Sequence, residues 1–313
     1  MVIFALLRGN IGTDTPTYIS AIEILRDNGK DALNLFEPLF EWLLNNLAQL
    51  PIPAWSVLAL ISLSTTILFI FGWVRIEPSL VVFTGVYAQF FVDMTMNGIR
   101  YGLAFTLIVF ASRFLLDKRF NLFWGIALAA AFIQISSVLL TTLLFLLHER
   151  RWRSIIYATG IACLIAISFN ERLLFKLAIY ELEKSPNSFS GILPLVSTFS
   201  ILLFWIFDSG ARYRATVAIL SLTSLAVAAY VLTQITYAGL RFQLLLQFLT
   251  ALVFTCHLHG RNIQLQRRSV FGLIVIGILL GGMKLRHFSA DVEDAAASYI
   301  PYKFFWEEQT EVP

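Results

Sequence analysis

Two arginines carry the clearest chemical signal in the sequence, because each stands where a long apolar run meets a polar break. Arg100 lies in the tetrapeptide GIRY and Arg241 in GLRF. An ionisable group at the mouth of a membrane span is costly and marks a candidate functional site. Two converging guanidinium groups would suit a diphosphate, since arginine binds phosphate oxygens in a bidentate fork. The alternative is that both side chains snorkel to lipid headgroups.

Three carboxylates are the candidates for general-base chemistry: Asp14, Glu37 and Asp93. One of them could remove the proton from an attacking hydroxyl group. Structural roles compete with this interpretation, because Asp is common in turns and a carboxylate is favourable at a helix N-terminus. Arg8 is either a partner for one of these acids or a further phosphate ligand.

The segment from Arg8 to Trp42 must position several of these groups, and it reads as two short helices. Thr15 can cap the first helix and Gly29 follows its end, while Glu37 and a proline open the second helix. A polar, capped, amphipathic pair beside a bilayer lies on the surface or lines the mouth of a cavity.

Composition predicts an all-α, polytopic membrane protein. The chain has 313 residues, is 58% hydrophobic and only 14% charged, and its mean hydropathy is +0.75. A water-soluble protein could not bury that much apolar surface. We therefore expect one integral membrane domain over residues 1–313, with about 10–11 transmembrane or half-membrane helices and the amphipathic pair at the outer face. The expected spans are Ala54–Val74, Ser79–Val92, Ile99–Leu116, Asn121–Leu147, Ser154–Phe169, Gly191–Phe207, Ala215–Tyr237, Phe242–His257 and Ser269–Met283.

Charge decides how the run Asn121–Leu147 is interpreted. As one helix it would be roughly 40 Å long, at about 1.5 Å per residue. Basic clusters lie on both sides of it, and two short helices turning near Gln134 would place both clusters in the cytoplasm, as the positive-inside rule prefers. The inner side then holds twelve cations against four acids, a net +8, and the rest of the chain carries −5 to give the total of +3. The outward segments are a helical loop over residues 8–50, a loop over residues 170–190 and a C-terminal tail over residues 284–313.

The remaining polar residues add no metal or redox site to this interpretation. Cys163 and Cys256 lie inside apolar runs, and the four histidines have no ligand spacing. The sequence contains no nucleotide-binding loop. We expect no metal, no cofactor and no nucleic-acid partner.

Four short motifs resemble those of the EpsG-like family of Wzy-type polysaccharide polymerases. They are RGNIGTDTPTY from Arg8 to Tyr18, FEPLFEWL around Glu37, NGIRYGLAF from Asn97 to Phe105, and PYKFF near the C-terminus. The resemblance implies a GT-C-like membrane fold in the bacterial inner membrane, with the active face on the periplasmic side. It also implies polymerisation of oligosaccharide repeat units carried on undecaprenyl diphosphate, with inversion at the sugar. A chain-length regulator and a flippase of the same pathway are the implied protein partners, with membrane lipid around the protein.

Residue by residue, the resemblance assigns diphosphate binding to Arg8, Arg100 and Arg241. It adds four substrate-binding residues to the three catalytic carboxylates: Tyr18, Asn97, Gln134 and Tyr302. Family members often have a histidine where this chain has Gln134, which puts a histidine-based mechanism in doubt here. Alternatives are an O-antigen ligase or another lipid-linked-sugar transferase, a flippase or transporter, and a scaffold subunit.

Overall fold

The computed structural model describes most of the chain, and its regular structure is helical. It describes residues 5–9, 14–28, 36–77, 88–149, 156, 159–161, 163–165, 167, 191–209, 213–259 and 267–290. No strand occurs among them. Four helices are long and apolar enough to cross a membrane: Ala54–Ile76, Ile99–Leu116, Ala215–Thr233 and Ala238–His259. The protein is therefore an all-helical, polytopic membrane protein, as predicted.

The helices begin and end close to the polar breaks of the sequence. They are α1 Thr15–Asn28, α2 Pro38–Ala48, α3 Ala54–Ile76, α4 Ile99–Leu116, α5 Phe120–Ile133, α6 Ser137–His148, α7 Ile192–Ser209, α8 Tyr213–Thr233, α9 Tyr237–His259 and α10 Arg267–Ala290. A π-helical turn, Asp93–Asn97, precedes α4.

The chain forms two compact units. Unit 1 comprises Met1–Pro78, Tyr87–Ser137 and Gly281–Pro313, and unit 2 comprises Ser79–Val86 and Val138–Leu280. The prediction of one membrane domain over the whole chain stays a prediction.

In unit 1, α4 is the central helix, packed between α3 and α5. Gly72 of α3 faces the backbone of α4, where a β-carbon at this position would lie 2.9 Å from the Phe110 amide nitrogen. The absence of a side chain lets the two helices approach closely, as small residues do in membrane helix pairs. The amphipathic helices α1 and α2 pack against each other and also against α3, and α2 packs against α5.

The π turn is held against the start of α4 by two glycines. The Gly98 amide donates to the Asp93 carbonyl at 2.7 Å, which closes the turn. One helical turn later, a β-carbon at Gly102 would overlap the Met94 carbonyl and lie 3.0 Å from the Met94 Cα. The turn can therefore rest directly on α4 only because residue 102 has no side chain.

Unit 2 is built around α9, which packs against α7 and α8, while α7 and α8 also contact each other. Gly239 lies where α8 turns into α9, and its Cβ would lie 2.7 Å from the Thr233 Cα. In the candidate span of α9, 78% of the apolar window is buried inside the protein, against 33% for α8. Helix α9 is thus an inner helix of this unit.

The predicted helix break at Gln134 is confirmed, because α5 ends at Ile133 and α6 begins at Ser137. The limits of the last three spans differ from the prediction. Helix α9 begins at Tyr237, so Arg241 lies inside its first turns and not in the break before it. Helix α10 continues to Ala290, into the segment predicted as a tail.

Some predictions fall on residues that the structure does not describe. These are most of the span Ser79–Val92, half of the span Ser154–Phe169, the loop 170–190, and the chain beyond residue 290 with Tyr302. One expectation about the amphipathic pair was wrong in detail, because α1 already includes Thr15, which was predicted to cap it. Helix α2 buries Phe40, Leu44, Asn45 and Ala48.

Candidate active site

Glu37 is placed by the start of α2. Pro38 occupies the first helical position, and Glu37 before it is extended, with φ −66° and ψ 148°. The glutamate caps no backbone group of its own helix. One carboxylate oxygen, Oε2, accepts from Arg100 Nη1 at 2.9 Å, and the other, Oε1, accepts from the Ile135 amide at 3.2 Å. Glu37 is 2% exposed, so both oxygens are satisfied in a dry environment.

Arg100 is the second residue of α4, and α1 and α2 surround its guanidinium group. Its Nε donates to the Tyr18 hydroxyl at 3.3 Å. The guanidinium carbon lies 4.8 Å from the centre of the Phe36 ring, a cation–π contact. The side chain is 20% exposed, and Nη2 has no hydrogen-bond partner among the described residues. The group is therefore held on two sides and keeps donors for an anionic ligand.

Tyr18 belongs to an aromatic cluster beneath this arginine. Its ring stacks on Phe36 at 5.8 Å between centroids and meets Phe40 edge-on at 6.0 Å. Burial raises the pKa of the Tyr18 phenol; the Asp14 charge acts in the same direction, and the nearby Arg100 guanidinium acts against it. Tyr18 therefore stays a neutral phenol at physiological pH and accepts a hydrogen bond from Arg100.

The π turn is connected to the N-terminal segment through its main-chain carbonyls. The Thr95 carbonyl accepts from Arg8 Nη1 at 2.6 Å and from the Ser62 hydroxyl at 2.8 Å. The Thr15 hydroxyl donates to the Met96 carbonyl at 3.4 Å. Arg8 is 3% exposed. These bonds fix the turn that leads into Arg100, which gives Arg8 a positioning role in the structure.

Gln134 stands at the break between α5 and α6, with an extended backbone of φ −153° and ψ 114°. The backbone amide of the next residue, Ile135, donates a hydrogen bond to Glu37. Gln134 is 3% exposed, and its Oε1 has no hydrogen-bond partner among the described residues. A buried amide oxygen without a partner is costly, so this position is a candidate for ligand contact.

The opposite end of unit 1 has a different chemistry. Arg75 at the end of α3 lies over the Phe71 ring at 4.2 Å, and its carbonyl accepts from Arg113 Nη1 at 3.4 Å. Arg113 also pairs with Asp117 at 3.1 Å, and both side chains are about one third exposed. Both arginines belong to the twelve cations predicted on the inner side. Unit 1 separates them from the Arg100 end of α4, and the alternation of sides stays a prediction.

The structure brings Tyr18 and Glu37 into contact with Arg100, and Gln134 is the neighbour of Ile135, whose amide donates to Glu37. Asp14 is close enough to act on the Tyr18 pKa. Asp93 begins the π turn and is half-buried. The backbone of Asn97 ends this turn. Arg241 belongs to unit 2, so its pairing with Arg100 stays a prediction.

The model of the EpsG family matches residues 1–304. The chain belongs to the EpsG family. No curated protein and no solved structure matches the sequence. The EpsG family is associated with Wzy-type polymerases. This member is therefore a glycosyltransferase-like polymerase of polysaccharide biosynthesis.

Sequence reasoning missed several groups of this EpsG-family site. The Phe36 and Phe40 rings and the Ile135 amide were not singled out, nor was the Thr95 carbonyl that binds Arg8. Among these groups, only Phe36 and Phe40, which lie on either side of Glu37-Pro38, could have been noticed in the sequence. Backbone donors and acceptors carry no signature in a sequence. Among the described residues, no three His, Cys, Asp or Glu side chains gather at metal-binding distance.

Proposed function

We propose that this protein polymerises oligosaccharide repeat units that are linked to undecaprenyl diphosphate, at the outer face of the bacterial inner membrane. The growing chain moves from its lipid carrier to a hydroxyl of an incoming lipid-linked unit. Membership of the EpsG family supports the reaction class. The observation that carries the proposal is Arg100, a partly exposed guanidinium that is oriented by Glu37 and Tyr18 at the end of a candidate span.

Arg100 supplies the interaction that this reaction needs most. The donor has a good leaving group, and the enzyme must neutralise the charge that develops on the diphosphate. A guanidinium whose Nε and Nη1 are already fixed loses little side-chain freedom when Nη2 meets a phosphate oxygen. Glu37 acts as a positioning residue, since its carboxylate links Arg100 to the helix break at Ile135.

The proton of the acceptor hydroxyl needs a carboxylate, and Asp14 is the one we assign. Glu37 is not assigned this role, because its two oxygens already accept hydrogen bonds from Arg100 and from the Ile135 amide. Asp14 is half-buried and its charge acts on Tyr18 beside Arg100. Asp93, half-buried at the start of the π turn, is the second choice.

The reaction is then a single displacement. The acceptor oxygen forms a bond to the anomeric carbon, and the bond from that carbon to the diphosphate oxygen breaks. The electron pair leaves with undecaprenyl diphosphate beside Arg100, and the proton passes to Asp14. A single displacement inverts the anomeric centre.

The test is conversion of lipid-linked repeat unit by the purified protein in lipid nanodiscs. The substrate is extracted from cells in which this gene is deleted. A ladder of products, each one repeat longer, is the expected result, and Asp14→Asn should reduce the rate by about a hundredfold or more with normal folding. A single addition would favour a ligase or single-sugar transferase, and movement of substrate across the bilayer without a new bond would favour a flippase.

A further inference from the structure

Unit 2 contains a stripe of buried polar residues on the inner helix α9. Gln243, Gln247 and Thr250 are spaced i, i+4 and i+7, so they lie on one face of the helix. They are 2%, 0% and 0% exposed. Polar groups inside a candidate membrane span are expensive unless they are hydrogen-bonded, so each member of the stripe needs a partner.

Two of the three residues have a structural explanation. The Gln247 amide donates to the Ser197 hydroxyl of α7 at 2.6 Å, an interhelical hydrogen bond of the kind that joins membrane helices. The Thr250 hydroxyl donates to the Leu246 carbonyl of its own helix at 2.8 Å. Gln247 and Thr250 therefore contribute to the packing and hydrogen bonding of α9 itself.

Gln243 differs from both, because neither its amide oxygen nor its amide nitrogen has a hydrogen-bond partner among the described residues. An unpaired buried amide costs more than the other members of the stripe, and a Leu or Met would fill the same volume without that cost. A buried glutamine amide without a hydrogen-bond partner points to a ligand that the amide recognises.

The surroundings of this amide are also specialised. Gly191, just before α7, has φ +84°, a left-handed conformation that favours glycine. A β-carbon there would overlap the Gln243 amide oxygen and lie 3.0 Å from the Thr233 hydroxyl at the end of α8. The Thr233 hydroxyl donates to the Ala229 and Tyr230 carbonyls, and its oxygen retains acceptor capacity. Any other residue at 191 would clash with the Gln243 amide, so the glycine lets the backbone approach this side chain closely.

We propose that Gln243, with Thr233 and Gly191, forms a saccharide subsite in unit 2 that binds hydroxyl groups of the repeat unit. This inference rests on the proposed function and adds a sugar-recognition site to it. A primary amide offers both a donor and an acceptor, which matches two neighbouring hydroxyls of a sugar ring. The site carries no charge of its own, so it distinguishes sugar from diphosphate.

The test uses the full-length protein in nanodiscs and an oligosaccharide released from the lipid-linked repeat unit by mild acid. This probe carries the sugars without lipid or diphosphate, and binding is followed by a saturation-transfer NMR titration. Gln243→Leu should weaken binding by about tenfold to a hundredfold, the effect of two lost neutral hydrogen bonds. It should also raise KM for the lipid-linked unit and leave the unfolding temperature unchanged or higher. Thr250→Val, on the same face, is the matched control and should bind as wild type.

Three outcomes would overturn the subsite: no binding of the probe to wild type, equal binding to Gln243→Leu, or a Leu variant that unfolds at lower temperature or fails to fold. The last result would mean that the amide has a structural partner. Gln243→Asn, which keeps the amide on a shorter side chain, should fall between Leu and wild type. Arg100→Ala separates the two proposals, because it should bind the sugar probe and lose turnover. Turnover by Arg100→Ala would count against the proposed function without touching the subsite.

Discussion

Replacement of Arg100 by lysine tests whether the guanidinium fork, and not only its charge, is required. Lysine keeps the positive charge but presents one ammonium group on a flexible stem. It cannot hold the Glu37 carboxylate at 2.9 Å and the Tyr18 hydroxyl at 3.3 Å and still offer a separate planar donor to a phosphate. Snorkelling to lipid headgroups requires only a positive charge at the end of a long side chain. The two explanations therefore predict different activities for the lysine variant.

The magnitude follows from the contacts that lysine would lose. One hydrogen bond to a charged phosphate oxygen contributes about 1.5–3 kcal/mol. The guanidinium over the Phe36 ring, at 4.8 Å, adds about 0.5–1 kcal/mol at a partly exposed site. A loss of about 2–4 kcal/mol corresponds to a fall in kcat/KM of roughly 30-fold to 1000-fold. Arg100→Ala should lose at least as much, and it also leaves Glu37 buried without its cation.

The assay is the rate of polymer formation by purified variants at equal protein amounts, with the unfolding temperature measured in parallel. Arg113→Lys is the matched control. It lies at the other end of α4 in a pair with Asp117 that is about one third exposed, and such pairs contribute at most about 1 kcal/mol. Its rate should stay close to wild type. Wild-type rate and polymer length from Arg100→Lys would refute the argument that the fork binds the diphosphate.

Three further predictions concern the frame of the site. Glu37→Gln should lower the free energy of unfolding by about 1.5–3 kcal/mol and slow polymerisation at least tenfold, because the ion pair with a 20%-exposed arginine is replaced by a hydrogen bond to a neutral amide. An unchanged unfolding curve would contradict this. Gly102→Ala should displace the π turn and lower stability by about 1–3 kcal/mol. Gly125→Ala is the control, because an added β-carbon there would have no atom within 4 Å, and this variant should melt as wild type. Equal melting of the two variants would show that the turn does not rest on Gly102. Single cysteines placed at the exposed positions Gln49 and Lys118 should differ in their labelling by an impermeant thiol reagent in intact cells. The cysteine at Gln49 should be labelled and the cysteine at Lys118 protected. The reverse pattern would show that the membrane orientation is the opposite of the predicted one.

Much of the fold could be predicted because membrane helices are dictated by hydropathy and charge. The limits of α4, Ile99–Leu116, agree with the sequence prediction at both ends. The break at Gln134 was predicted from the positions of basic clusters on either side of a long apolar run, and it lies where α5 ends. Both results follow from bulk properties, the length of an apolar run and the cost of translocating cations.

The geometry of the site could be predicted only in part. Motif residues identified Glu37 and Arg100 as important, but not as partners, since 63 positions separate them in the chain. The π turn was read as a simple outward break, because no residue type distinguishes a π turn from an ordinary helix end. Arg241 was misplaced relative to its helix, because one span was predicted to end at Tyr237 and the next to begin at Phe242, whereas α9 already begins at Tyr237. Gly239 packs closely against the Thr233 backbone in the first turn of α9.

The measurement that tests the central claim most directly is the stoichiometry of the purified reaction. Lipid-linked repeat unit is supplied as the only substrate, and the glycosidic bonds formed and the undecaprenyl diphosphate released are counted by mass spectrometry. The account predicts a ladder of polymers with one lipid diphosphate released for each new bond, and no release from Arg100→Ala. Polymer formation by Arg100→Ala at the wild-type rate, or bonds formed without release of lipid diphosphate, would contradict it.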